Sequence, residues 1–175
     1  MVNSNNNQDP KPELDKRNER LLQKNLDRLG YTAEEKPQAR ANFLNYLAWV
    51  AETESKFDTD RTSNTGAKGV FQFTTGTIDT ARERMKNPNA MGLSKAEIAE
   101  LPLDAYEWTY DQAVLHLMAE HFVPDGSDAY LRGVFDGTTQ GTEDAYRWLH
   151  LRDEKQWASA DVQTNVANTW KSKNY

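Results

Sequence analysis

Cysteine is absent from the 175 residues, which excludes disulfide staples and thiolate metal sites. Histidine is scarce, with only His116, His121 and His150. His116 and His121 are five apart, so they fall on different helix faces and off the His-Glu-x-x-His spacing. No metal and no cofactor is expected. Excess positive charge is missing too: 21 basic against 27 acidic residues leave a net charge of -6. Nucleic acid and anionic membranes are therefore not expected partners. No run approaches the ~20 apolar residues of a membrane span. The first twenty residues are polar and lack the apolar core of a secretory leader, so the expectation is delivery by some other route. Apolar residues make up 37% and the mean hydropathy is -0.89. They gather between about residues 43 and 151, enough for one domain with a core.

The periodicity predicts a mainly α fold. Three units are expected: residues 1–35 as a polar arm plus an amphipathic helix, 36–155 as the functional domain, and 156–175 as a C-terminal helix or tail. Within the first, Leu14, Leu21, Leu22, Leu26 and Leu29 form a stripe among charges, and Gly30 is the predicted stop. That stripe suits packing on the domain or docking to another protein equally well. Thr32 to Glu35 has the pattern of a capping box, with Pro37 close behind. A helix is predicted over 38–57, a polar loop over 58–76 with a short extended piece at 70–73, and a helix over 77–85. A second capping box opens at Ser94. Further helices are predicted over 107–122, 128–135, 142–151 and 159–170.

Glu54 breaks the pattern of its helix. Phe43, Leu47, Val50, Glu54 and Phe57 are spaced four, three, four and three apart and share one face. A carboxyl on an apolar face loses solvation in its charged form, which predicts a raised pKa and suits a general acid near neutral pH. The ordinary alternative is a helix-end glutamate that reaches solvent or pairs with a nearby cation.

The residues after it narrow the choice. From Trp49 the chain runs Trp-Val-Ala-Glu-Thr-Glu-Ser-Lys-Phe-Asp, followed by Ser63-Asn64-Thr65-Gly66-Ala67-Lys68-Gly69-Val70-Phe71-Gln72-Phe73. This resembles the core signature of lytic transglycosylases of the soluble, goose-lysozyme-like superfamily. That signature is a helix ending in Glu-Ser, then Ser-x-x-Gly-Ala-x-Gly, two apolar residues and Gln. The resemblance covers residues 49–81. It implies a lysozyme-like helical domain with a polar, glycine-containing loop after the catalytic helix. It places Glu54 on the catalytic glutamate, Ser63 and Gln72 on polar residues of the sugar groove, Gly66 and Gly69 on turn glycines, and Thr77 on the threonine opening the next helix. Glycine admits positive φ and close backbone approach. Serine and glutamine offer the donors and acceptors that neutral sugars need. In an extended segment Phe71 and Phe73 would point away from Gln72 and pack. The family's second landmark, Ala-Tyr-Asn-x-Gly, is matched to Ala129-Tyr130-Leu131-Arg132-Gly133, with Leu131 in place of asparagine. Tyr130 is then the groove tyrosine, close to Glu54. The five tryptophans are assigned to packing.

The resemblance implies cleavage of the bond between N-acetylmuramic acid and N-acetylglucosamine in peptidoglycan glycan strands, with Glu54 as acid and then base, yielding 1,6-anhydromuramoyl ends. Asp58 and Asp60 lie in the following loop and could serve as a second carboxylate; nothing in the spacing singles either out, and both suit turn caps equally well. The stretch around Glu54 is also similar to the virion-borne transglycosylase domains of short-tailed phages. The expected location is therefore a phage particle, opening the wall locally during genome ejection. The two termini would contact neighbouring virion proteins. The alternatives are a non-catalytic structural component on the same fold, or a hydrolytic lysozyme.

Overall fold

The computed structural model describes residues 13–150. The polar arm 1–12 and the stretch 151–175, including the helix predicted over 159–170, lie outside the described residues. Seven α-helices follow in order: α1 Lys16–Arg28, α2 Gln38–Ser55, α3 Thr75–Arg84, α4 Lys95–Ala99, α5 Tyr110–His121, α6 Leu131–Phe135 and α7 Thr139–His150. Two 3₁₀ turns, Ala105–Glu107 and Ser127–Tyr130, precede α5 and α6. Among the described residues there is no strand, only two isolated bridges, Thr62 with Lys68 and Lys68 with Phe73. No described helix is long and apolar enough to cross a membrane.

Helix α1 starts where the Asp15 carboxylate accepts the Asn18 N–H at 2.7 Å and stops at Gly30, whose φ is +87°. Its leucine stripe is buried in the same core as the rest of the fold, so of the two uses open to that stripe the structure shows packing on the domain. Each fully buried leucine contributes about 1.5–3 kcal/mol. Polar ties reinforce it. Arg28 pairs with the buried Asp128, the Asn25 amide donates to Ala90 O at 3.1 Å, and Arg132 donates to Leu29 O at 2.7 Å.

Thr32 accepts the Glu35 N–H at 3.3 Å, but the chain only turns there. Helix α2 begins behind Pro37, whose φ of -62° is already helical. It ends two residues before the predicted boundary. Lys56 and Phe57 adopt φ of +55° and +64°, a left-handed conformation that side chains resist and that swings the chain into the loop directly after Glu54. Phe57 is held there by its ring against Tyr110, with centroids 6.3 Å apart.

The extended piece predicted at residues 70–73 is instead a tight turn. Gln72 N–H donates to Gly69 O at 3.1 Å and Gln72 itself has φ of +52°. Phe71 and Phe73 are buried all the same, Phe71 with its ring 6.0 Å from that of Tyr110 and Phe73 with its ring 5.3 Å from that of Trp108. Helix α3 opens at Thr74, which accepts the Thr77 N–H, so Thr77 is the third residue in rather than the opener. The Ser94 capping box is present with both reciprocal bonds. The region predicted as one helix over 107–122 is divided, and α5 starts at Thr109 with its own box to Gln112.

Candidate active site

Glu54 stands one residue before the end of α2 and is half-buried, which places its carboxyl at the edge of the core rather than within it. Below it the same helix buries Phe43, Leu47 and Val50 completely. Ser55 anchors the helix end to the loop: its hydroxyl meets Val70 O at 2.8 Å and Ala51 O at 3.0 Å.

The loop is held by the glycines and polar residues of the signature. Gly66 and Gly69 have φ of +83° and +81°. A Cβ on Gly69 would lie 2.9 Å from Ala105 O, so glycine is required there both by conformation and by space. Ser63 Oγ accepts the Ala67 N–H at 3.0 Å and lies 2.9 Å from Thr65 Oγ1. The Gln72 amide nitrogen donates to Gly69 O at 2.8 Å and Arg61 O at 3.1 Å. In this structure, then, both residues tie the loop together, and Gln72 shows only its amide oxygen as an unused acceptor among the described residues. Asp58 accepts the Asp60 N–H at 2.9 Å, a turn cap, and both aspartates are exposed.

The hydroxyl that meets Glu54 belongs to Tyr146 on α7, which donates to Glu54 Oε1 at 2.8 Å. Tyr130 is placed differently: its hydroxyl lies 2.6 Å from His121 Nδ1. Burial, then the Glu54 charge and the hydrogen bond to it, push the Tyr146 phenol well above its ordinary value, so it remains a donor. Its ring is met edge-on by Trp49 at 5.1 Å. Sequence reasoning missed Tyr146 because Ala-Tyr occurs three times, at Ala105-Tyr106, Ala129-Tyr130 and Ala145-Tyr146. The glycine of the landmark motif favoured the second. The structure gives that glycine another use. A Cβ on Gly133 would lie 2.6 Å from the Gly141 Cα, so the two glycines let α6 and α7 touch backbone to backbone. That contact sets where α7 delivers Tyr146. Leu131, in place of the motif's asparagine, is a fully buried core residue.

A cavity of about 320 Å³ opens beside the loop against Lys68, Phe73, Ile78 and Leu103. Another, of about 380 Å³, lies between α1 and α2 at Glu19, Arg40 and Leu44. Glu54 lines neither. Among the described residues no group of three or more His, Cys, Asp or Glu side chains is placed to hold a metal ion.

Residues 32–99 match the family model described as the transglycosylase SLT domain. The matched segment, less than half of the chain, contains α2, Glu54 and the whole signature loop, and it supports the lytic transglycosylase and lysozyme-like superfamily. The helical architecture agrees with that family's lysozyme-like fold. The search of curated proteins returned no match, and neither did the search of solved structures.

Proposed function

We propose that the protein is a lytic transglycosylase that cuts peptidoglycan between N-acetylmuramic acid and N-acetylglucosamine, with Glu54 as its single acid and base. The observation that carries the reading is the Tyr146 hydroxyl on Glu54 Oε1, which orients a half-buried carboxyl beside the glycine-turned loop of the matched segment. Protonated Glu54 donates to the glycosidic oxygen as the bond from C1 to that oxygen breaks. The substrate's 2-acetamido group stabilises the cationic C1. The carboxylate then accepts the proton of the C6 hydroxyl as that oxygen attacks C1, closing a 1,6-anhydro ring and restoring protonated Glu54. No second carboxyl is required, in contrast to the usual pair of a glycosidase. This agrees with Asp58 and Asp60 being turned into the loop and out to solvent. Ser63 and Gln72 shape the loop that receives the sugar, and the Gln72 amide oxygen is offered to it as an acceptor.

The particle-borne role is part of the same proposal. It is supported by the similarity of residues 49–57 to the transglycosylase domains of short-tailed phage virions. Its test is mass-spectrometric detection of the chain in purified particles. The chemistry is tested by digesting purified peptidoglycan with the protein and with Glu54→Gln. Anhydromuramoyl products from the first and none from the second are expected. Reducing ends instead would make it a lysozyme. No product from a folded wild type, tested on several wall types, would leave a structural role in the particle.

A further inference from the structure

Behind the Glu54–Tyr146 pair lies a second set of polar groups that the proposed chemistry does not use. His121, the last residue of α5, is fully buried. One ring nitrogen, Nδ1, lies 2.6 Å from the Tyr130 hydroxyl. The other, Nε2, lies 3.1 Å from the hydroxyl of Tyr46, which is itself fully buried on α2. A neutral imidazole has one donor and one acceptor nitrogen, so two hydroxyls, each able to play either part, satisfy it from both sides. The three residues come from three different elements. Phenylalanines would fill the same volume without the cost of burying polar groups. Such a string ties down relative placement, because any slippage leaves a buried polar atom unpaired.

The placement it fixes returns to the candidate active site. Tyr130 ends the 3₁₀ turn that leads straight into α6. Helix α6 holds α7 through the Gly133–Gly141 backbone contact. Helix α7 carries Tyr146 back to Glu54 on α2, the helix that also carries Tyr46. A shorter route runs through one ring: Trp49 has the ring of Tyr46 at 6.4 Å and that of Tyr146 at 5.1 Å. Burial, and after it the nearby Tyr146 and Glu54 side chains, hold the Tyr46 phenol well above its ordinary value.

We infer that the Tyr130–His121–Tyr46 string is a positioning device that clamps the α6–α7 wall against α2 and so holds the Tyr146 hydroxyl on Glu54. Its catalytic consequence rests on the transglycosylase reading; its structural consequence does not. The test uses the full chain with tyrosines labelled at ¹³Cζ, a carbon that reports the hydrogen bond of the attached hydroxyl. The Tyr146 resonance is assigned by its loss in Tyr146→Phe, and its position with the charged acceptor removed is given by Glu54→Gln. Tyr46→Phe and Tyr130→Phe each break one end of the string. Each is expected to move the Tyr146 resonance toward its Glu54→Gln position. Each should also lower kcat by roughly 3- to 10-fold with KM unchanged, the size of coupling seen between neighbours in one network. Two variants guard against one failing to fold, and circular dichroism shows which are folded. A Tyr146 resonance that stays at its wild-type position in a folded variant overturns the inference, whatever the kinetics. If the wild type cuts no peptidoglycan, the enzymatic reading fails while the resonance still decides the positioning role.

Discussion

At the scale of single residues, the Glu54–Tyr146 bond and the His116 ring give the sharpest expectations. A hydrogen bond to a charged group is worth about 1.5–3 kcal/mol. Tyr146→Phe, which removes only the hydroxyl on Glu54, is therefore expected to slow peptidoglycan cleavage by about 10- to 100-fold. The check is steady-state turnover, paired with a melting curve to show that the fold survives. His116 is fully buried, stacked on Trp108 at 3.6 Å, with Nδ1 donating to Gln112 O at 2.7 Å. Burial pulls its pKa from 6.5 down to about 4. Above pH 6.5 the ring is neutral in both the folded and unfolded states. Between pH 6.5 and 4 the unfolded chain takes up a proton that the folded ring refuses, so stability falls as pH falls. The loss levels off below pH 4 at up to about 3 kcal/mol. Urea titrations from pH 7 to 4 should show this decline for the wild type and a shallower one for His116→Phe. Glu54 was singled out in the sequence by two signals together, one carboxyl on an apolar stripe and the family resemblance of the residues that follow it. Tyr146 was not legible. Three Ala-Tyr pairs look alike in one dimension, and the glycine that singled out Tyr130 serves a helix contact instead.

At the scale of elements, the α6–α7 contact matters most. A Cβ on Gly141 would lie 2.0 Å from the Gly133 carbonyl carbon, and backbone cannot rotate out of the way as a flexible side chain can. Gly141→Ala is expected to push α7 outward. The cost is about 1–3 kcal/mol of stability, in line with other overpacked sites, and Tyr146 is drawn off Glu54. The distinguishing measurement is activity under conditions where the variant remains fully folded; it should fall by more than the folded fraction does. The start of α4 was read from its capping box at Ser94, whereas α3 and α5, capped by Thr74 and Thr109, start two residues before and three residues after the predicted positions. Ends were read less well. Helix α2 stops at two left-handed residues, Lys56 and Phe57, neither of which is a residue type that favours that conformation. Ring packing on Tyr110 holds one of them there, and such packing is invisible to propensity. The turn at residues 69–72 escaped notice for a related reason, since a run of apolar residues interrupted by Gln72 fits a tight turn as readily as a strand.

At the scale of the whole molecule, α1 lies outside the segment that matches the family model, yet its leucines join the core that supports α2 and α5. Leu22 is completely buried. Leu22→Ala is expected to cost about 2–5 kcal/mol and to lower a single cooperative transition rather than melt α1 separately. Circular dichroism and tryptophan fluorescence should give coincident midpoints; two separated transitions would show that α1 folds apart from the rest. Sequence alone determined the helical class, the catalytic candidate, the loop that follows it and the need for glycine at positions 66 and 69. The class depends on helical periodicity, which acts over a few neighbouring residues; the candidate, the loop and the glycines were carried by the family resemblance of residues 49–81. Tertiary structure alone decided which tyrosine meets Glu54, that Ser63 and Gln72 bind their own loop, and that the α1 stripe packs inward. The first and last of those outcomes depend on how far apart two distant helices settle, a distance set by packing volume and backbone contact, whereas the Ser63 and Gln72 bonds depend on how residues 61–72 close on themselves.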